Sequence, residues 1–260
     1  TGLAWDPAGN LFVADGDGGQ VRKIAPDGTV STFAGSGRQG DADGQGVAAS
    51  FGGLGELAID AARNLWVLDG QALRKIAPDG TVSTPELATG SEAPAFFGSP
   101  SAIAIDPAGV LQILDEDFDT NEGILIRVGT ADLSYRVVGP SGRGDVRGGV
   151  KDGRLYFAGV AVDPAGTLYV ADAGARVIRK LAPGQAPVIW VGSGDEGDAD
   201  GRGRAASFSL PTGITRDRAG NLYVADLGSN RVRRVTPDGV VSTVPLQLPP
   251  GAALVGPIAV

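Results

Sequence analysis

The run Asp115-Glu116-Asp117-Phe118-Asp119-Thr120-Asn121-Glu122-Gly123 places oxygen side chains at alternate positions. Ca²⁺ takes about 6 to 8 hard oxygen ligands, so Asp115, Asp117, Asp119 and Asn121 would ligate calcium if the backbone curls around the ion. The helix-flanked EF-hand pattern is missing, which leaves a solvated acidic hairpin tip as the other reading. A second acidic feature occurs twice: Gly-Asp-Ala-Asp-Gly carries Asp41 and Asp43 in one copy, Asp198 and Asp200 in the other, and both copies run on to Ala-Ala-Ser-Phe. That shared ending favours a structural loop docking Phe51 and Phe208 over a metal site, because repeats reuse packing solutions. Arg143 and Arg147 lie among further connector cations (Arg38, Lys151, Arg154, Arg202 and Arg204) that suit an acidic partner or a sugar, with solvated loop charge as the plainer reading. Phe118, with Phe96 and Phe97, is a loop aromatic of the type that anchors a binding surface.

What is missing narrows the chemistry further. The 260 residues contain no His and no Cys, so Ser-His and Cys-His nucleophile pairs and His- or Cys-ligated metals are excluded. Acid–base work would fall to carboxylates, Lys or Tyr. A formal net charge of −8 opposes docking on phosphate backbones, so nucleic acid is not an expected partner. No apolar run reaches membrane-spanning length, and no direct membrane insertion is expected. With no Met anywhere, the sequence reads as a processed, trimmed or partial product.

The elements that must position these residues repeat. One phrase returns five times, as GLAWDPAGNLFVAD, GELAIDAARNLWVLD, SAIAIDPAGVLQILD, GVAVDPAGTLYVAD and GITRDRAGNLYVAD, with Asp6, Asp60, Asp106, Asp163 and Asp217 marking the register. The aspartates recur about 50 residues apart, the length of one propeller blade with its loops. Each unit reads as four short strands: a small apolar run, a DPAGN-type turn, a second run, a variable loop, a third run, a PDGT-type turn and a last strand. Pro presets φ and Gly accepts φ > 0 in such turns, which closes tight hairpins. Lys23, Lys75, Arg127, Lys180 and Arg234 recur at one position of the third strand, which argues for a structural role, with the repeat aspartates as candidate partners.

The phrase G-x-A-x-D-x-x-G-N-L-Y-V-A-D followed by R-V-R-R-V-T-P-D-G resembles the NHL repeat family, over essentially the whole chain, and the connectors resemble those of bacterial and teneurin-like members. The fold class expected is all-β: a β-propeller of four-stranded antiparallel blades, at 1–34, 52–84, 99–138, 157–191 and 210–244, in a single domain spanning 1–260. GPIAV at 256–260 reads as one extra first strand, so a six-bladed parent is expected, with five-bladed closure as the alternative. The loops after second and fourth strands share one end of each blade and carry every long variable segment, so the site is expected there. The resemblance implies a non-catalytic scaffold binding a protein or glycan, in a secreted, periplasmic or cell-surface setting. The alternative is a metal-dependent lactonase- or lyase-like propeller. Related lyases lean on His, so their functional residues cannot be carried over, and related gluconolactonases hold metal through Glu, Asn and Asp, a set that the sequence alone does not assign.

Overall fold

The computed structural model describes residues 2–87, 99–117, 122–138 and 157–246. These residues form five antiparallel sheets, each built on a four-stranded meander in chain order, which are the blades of a β-propeller; in two of them a short connector strand adds a fifth strand at the outer edge. The chain divides into two compact units: residues 1–115 with 126–137, and residues 116–125 with 138–260.

In the first unit, blade 1 comprises β1 (Leu3–Trp5), β2 (Leu11–Asp15), β3 (Gln20–Ile24) and β4 (Val30–Ala34). The connector that follows forms a two-residue strand, β5 (Gly44–Gln45), and a single 3-10 turn at Gly46–Ala48 before entering blade 2. Blade 2 comprises β6 (Leu54–Ile59), β7 (Leu65–Asp69), β8 (Ala72–Ile76) and β9 (Thr81–Ser83), and blade 3, whose residues 116–125 and 138 fall in the second unit, comprises β10 (Ala102–Ile105), β11 (Val110–Asp117), β12 (Glu122–Gly129) and β13 (Tyr135–Val138). In the second unit, blade 4 comprises β14 (Phe157–Val162), β15 (Leu168–Asp172), β16 (Val177–Leu181) and β17 (Val188–Val191). A connector strand β18 (Gly201–Arg202) and a 3-10 turn at Gly203–Ala205 then lead into blade 5, formed by β19 (Pro211–Arg216), β20 (Leu222–Asp226), β21 (Arg231–Val235) and β22 (Val240–Val244). The residues at 256–260 read as an extra strand lie outside the described residues.

The register aspartates explain why the first turn of each blade is so uniform. Asp6 Oδ1 accepts the amides of Ala8 and Asn10 while Oδ2 accepts the Asn10 side chain, an Asx arrangement that replaces lost strand hydrogen bonds at the hairpin tip. Asp60, Asp106, Asp163 and Asp217 repeat the amide contact, and Oδ2 also receives Trp66 Nε1, Gln112 Nε2 and Tyr169 Oη in blades 2, 3 and 4. The recurring third-strand cations lie across from that second-strand side chain. Lys75 sits over the Trp66 ring, Lys180 over Tyr169 and Trp190, and Arg127 and Arg234 donate to Gln112 and Asn221. One blade breaks the turn rule: where the other four have glycine at positive φ, blade 2 has Arg63 at φ 66°.

Each unit has its own core, and the two are near copies. Phe51 packs with Ala14, Val21 and Ala34 of blade 1 and Leu57, Leu65, Val67 and Ile76 of blade 2. In the second unit Phe208 packs with Ala171, Ile178 and Val191 of blade 4 and Ile214, Leu222, Val224 and Val235 of blade 5. Both phenylalanines end a Gly-Asp-Ala-Asp-Gly connector. The connector therefore wedges its ring between two blades and pairs its short strand with the outer edge of the second: Gly44 opposes Val82, and Gly201 opposes Val241.

Candidate functional site

The connector-bearing end of the blades is built around a carboxylate at the close of each second strand. Asp69 Oδ1 accepts the amides of Gly52 and Gly53, Asp115 Oδ1 accepts Ser99, Asp172 Oδ1 accepts Ala175, and Asp226 Oδ1 accepts Ser209 and Leu210. Asp15 does the same within its own loop, accepting Gly18. A carboxylate that accepts backbone amides satisfies donors a loop would otherwise leave unpaired, so Asp69, Asp115 and Asp226 fix where the incoming connector enters the blade, whereas Asp15 and Asp172 tie the loop that follows their own strand.

An arginine one position before the recurring cation completes the clasp in blades 2 and 5. The Arg74 side chain is 1% exposed and lies over Phe51; it donates to Asp69, Asp43 and the carbonyls of Ser50 and Ala42. Arg233, whose side chain is fully buried, lies over Phe208 and donates to Asp200 and the carbonyls of Ser207 and Ala199, with Asp226 at 3.8 Å. Asp43 also accepts the amide and hydroxyl of Thr84, and Asp200 those of Thr243. Burial works to raise both carboxyls, but the threonine bonds and the guanidinium outweigh it and hold each below the usual carboxylate value.

The candidate ligands are thus placed as follows. Asp43 and Asp200 hold the connector clasp, Asp198 pairs with Arg231 at 2.9 Å, and Asp41 is exposed at the connector tip. Asp115 is 2% exposed and bound to Ser99, while Asp117 ends β11. Phe118, Asp119, Asn121, Arg143 and Arg147 lie outside the described residues. Among the described residues no group of three or more acidic side chains comes together as a metal site.

A cavity opens at this end of the first unit. It has a volume of about 310 Å³ and is lined by Gly53, Gly55, Leu68, Gly70, Gln71, Ser99 and Pro100. Three of the seven lining residues are glycines, which offer main chain only; Gln71 and Ser99 are the polar residues and Leu68 and Pro100 the apolar ones. Gly55 belongs to a register shift in β6 between Leu54 and Leu57, and the same shift carries Glu56. Bulges of this kind re-aim a side chain. Burial pushes the Glu56 carboxyl up to about 7.

Glu56 is the residue that sequence reasoning missed. In the repeat register its place is taken by Gly2, Ala102, Gly159 and Gly213, all small. The space there is tight: a Cβ on Gly2 would lie 2.6 Å from the Leu57 amide nitrogen, and one on Gly159 would lie 2.5 Å from the Thr212 carbonyl oxygen. A lone acid at a position otherwise kept small was the available signal.

No family model matches the chain, and no curated protein sequence matches it. Solved structures do. An auxiliary nutrient binding protein from Bacteroides thetaiotaomicron is similar at TM-score 0.67 and 15% identity, over 93% of this chain and 56% of that one. A gluconolactonase from Xanthomonas campestris is similar at TM-score 0.63 and 20% identity, over 93% and 74%. A virginiamycin B lyase from Staphylococcus aureus is similar at TM-score 0.59 and 13% identity, over 95% and 70%. The fold is a β-propeller. The chain spans 62% and 56% of the first two structures it resembles, and at these identities the likeness speaks to fold alone. Among the described residues no helix of the propeller is long and apolar enough to cross a membrane.

Proposed function

We propose that the chain is an NHL-type propeller module that binds a glycan through the connector-bearing end of its blades, at the cavity between Gly53–Gly55, Gly70–Gln71 and Ser99–Pro100. The observation that carries this reading is the contrast between two kinds of polar group at that end. The recurring carboxylates are bound to backbone amides, whereas the cavity is walled by neutral groups. A sugar asks for main-chain and amide or hydroxyl partners around its own hydroxyls and an apolar face for its C–H surface. The lining has both, and a volume of about 310 Å³ lies at the small end of ordinary ligand pockets, suited to one or two sugar rings. The similarity to an auxiliary nutrient binding protein is in keeping with this role. This reading does not depend on calcium at Asp115, Asp117, Asp119 and Asn121, because the groups that line the cavity are neutral. The test is a glycan array with the unaltered protein and Ser99→Trp, which fills the cavity while keeping the backbone amide that Asp115 accepts. Selective glycan binding lost in Ser99→Trp supports the role; equal binding by both proteins refutes it.

Glu56 favours a second reading. Glu56 adjoins Gly55 of the cavity lining in sequence, and a carboxyl near neutrality is suited to proton transfer, a kind of group that concentrates at active sites. A gluconolactonase is among the similar structures. Lactone hydrolysis lost in Glu56→Gln, with the fold retained, would establish it; absence of turnover in the unaltered protein would remove it.

A further inference from the structure

We propose that the outer edge of blade 1, formed by β4 with Arg22 and Thr32, docks a segment of the G-D-A-D-G-x-G-x-A-A-S-F kind. Blades 2 and 5 show what such a segment does. In each, the connector strand lies along the outermost strand, an aspartate bridges an arginine of the third strand to a threonine of the fourth, and the connector phenylalanine lies against that arginine.

Blade 1 carries the receiving half of this arrangement residue for residue. Its fourth strand reads Thr29-Val30-Ser31-Thr32, against Thr81-Val82-Ser83-Thr84 and Val240-Val241-Ser242-Thr243. Arg22 opposes Thr32 as Arg233 opposes Thr243, and Asp15 stands where Asp69 and Asp226 stand. The two covered valines are 1% exposed, Val82 and Val241 alike, whereas Val30 is 54% exposed. Leu11, Val13 and Ile24 are only half-buried, although their counterparts Leu65, Val67 and Ile76 are buried. Arg22 donates to the Ser31 carbonyl at 3.4 Å and has no carboxylate partner among the described residues. Among the described residues the edge thus presents a strand with no pairing partner, an exposed apolar residue and a cation, and the segment brings a strand, an aromatic ring and an aspartate. The other fates of an open edge, aggregation or pairing with an unrelated strand, make no use of Arg22 and Thr32.

The test uses a fluorescent peptide with the sequence of residues 192–208 and the intact protein, read by anisotropy. Saturable binding is expected, weakened about ten-fold or more by Arg22→Ala and by an Asp200→Asn change in the peptide, and left alone by Arg218→Ala at an exposed site elsewhere. Three results overturn the proposal in different ways. Binding that survives Arg22→Ala means the peptide exchanges with the resident connectors of blades 2 and 5. A dimer of the chain that Arg22→Ala abolishes, with no peptide bound, assigns the edge to a second copy. Absence of both peptide binding and dimer means the edge has no such occupant.

Discussion

Replacing Arg74 by Ala and Arg22 by Ala removes the same side chain from the same register position of two blades, and the outcomes should differ several-fold. Arg74 gives up four hydrogen bonds, to Asp69, Asp43, Ser50 and Ala42, and its contact over Phe51. The change strands Asp69, whose side chain is 3% exposed, as a buried carboxylate held only by the Gly52 and Gly53 amides. Removing one partner of a buried ion pair costs about 3 to 5 kcal/mol. For a domain of this size 1 kcal/mol corresponds to about 2 to 4 °C in melting temperature, so the loss should be about 6 to 20 °C. Arg22 is half-exposed and pairs with no carboxylate among the described residues, so Arg22→Ala should stay within about 0.5 kcal/mol, as surface changes do. Guanidinium denaturation and thermal melts of the two variants beside the unaltered protein measure both. Equal losses, or an Arg74→Ala protein within 1 °C of the parent, would refute the assignment of that arginine as the pin of the connector.

Arg233→Ala should follow Arg74→Ala but toward the lower end of that range, because Asp226 keeps the Ser209 and Leu210 amides and the Ser229 hydroxyl; chemical denaturation ranks the two. Arg63→Gly should stabilise blade 2 by about 0.5 to 1 kcal/mol, since relief of a left-handed residue exceeds the entropy glycine adds to the unfolded chain; a melting temperature unchanged or lowered would contradict it. Glu56 sets a pH dependence: its carboxyl titrates at about 7 folded against 4.5 unfolded, so as pH rises through that window the unfolded chain ionises first and the folded state loses stability. Glu56→Gln should match the parent at pH 4 and be more stable at pH 8, by up to about 3 kcal/mol, and parallel melting curves across pH would rule the burial effect out.

The blades were legible because their markers are local. Asp6 and its four counterparts close a turn with atoms two and four residues away, so sequence spacing alone carries the geometry. The wedging of Phe51 and Phe208 was also readable, from the identical Ala-Ala-Ser-Phe endings. The clasping arginines were not. Attention falls on Lys75 and Arg234, which recur in every blade, yet neighbouring strand residues point to opposite faces. It is Arg74 and Arg233, one position earlier, that reach Asp43 and Asp200, across sequence separations of 31 and 33 residues that no local pattern records. Asp115 reads as the start of an ion loop because its run is acidic; that its Oδ1 also accepts an amide from the incoming connector, as Asp69 and Asp226 do, depends on a contact 16 residues away that the run does not record. The cavity had no signature at all, because its seven lining residues come from three separate stretches of chain and three of them are glycines.

The central claim is that binding occurs at the connector-bearing end of the blades, and amide chemical-shift mapping during titration with a glycan hit tests it most directly. The account predicts saturable shifts concentrated at Gly53, Gly55, Gly70 and Ser99, with the turn amides of Ala108 and Gly109 at the opposite end of blade 3 unmoved. Shifts confined to those turns, or absent at the cavity at saturation, would contradict it.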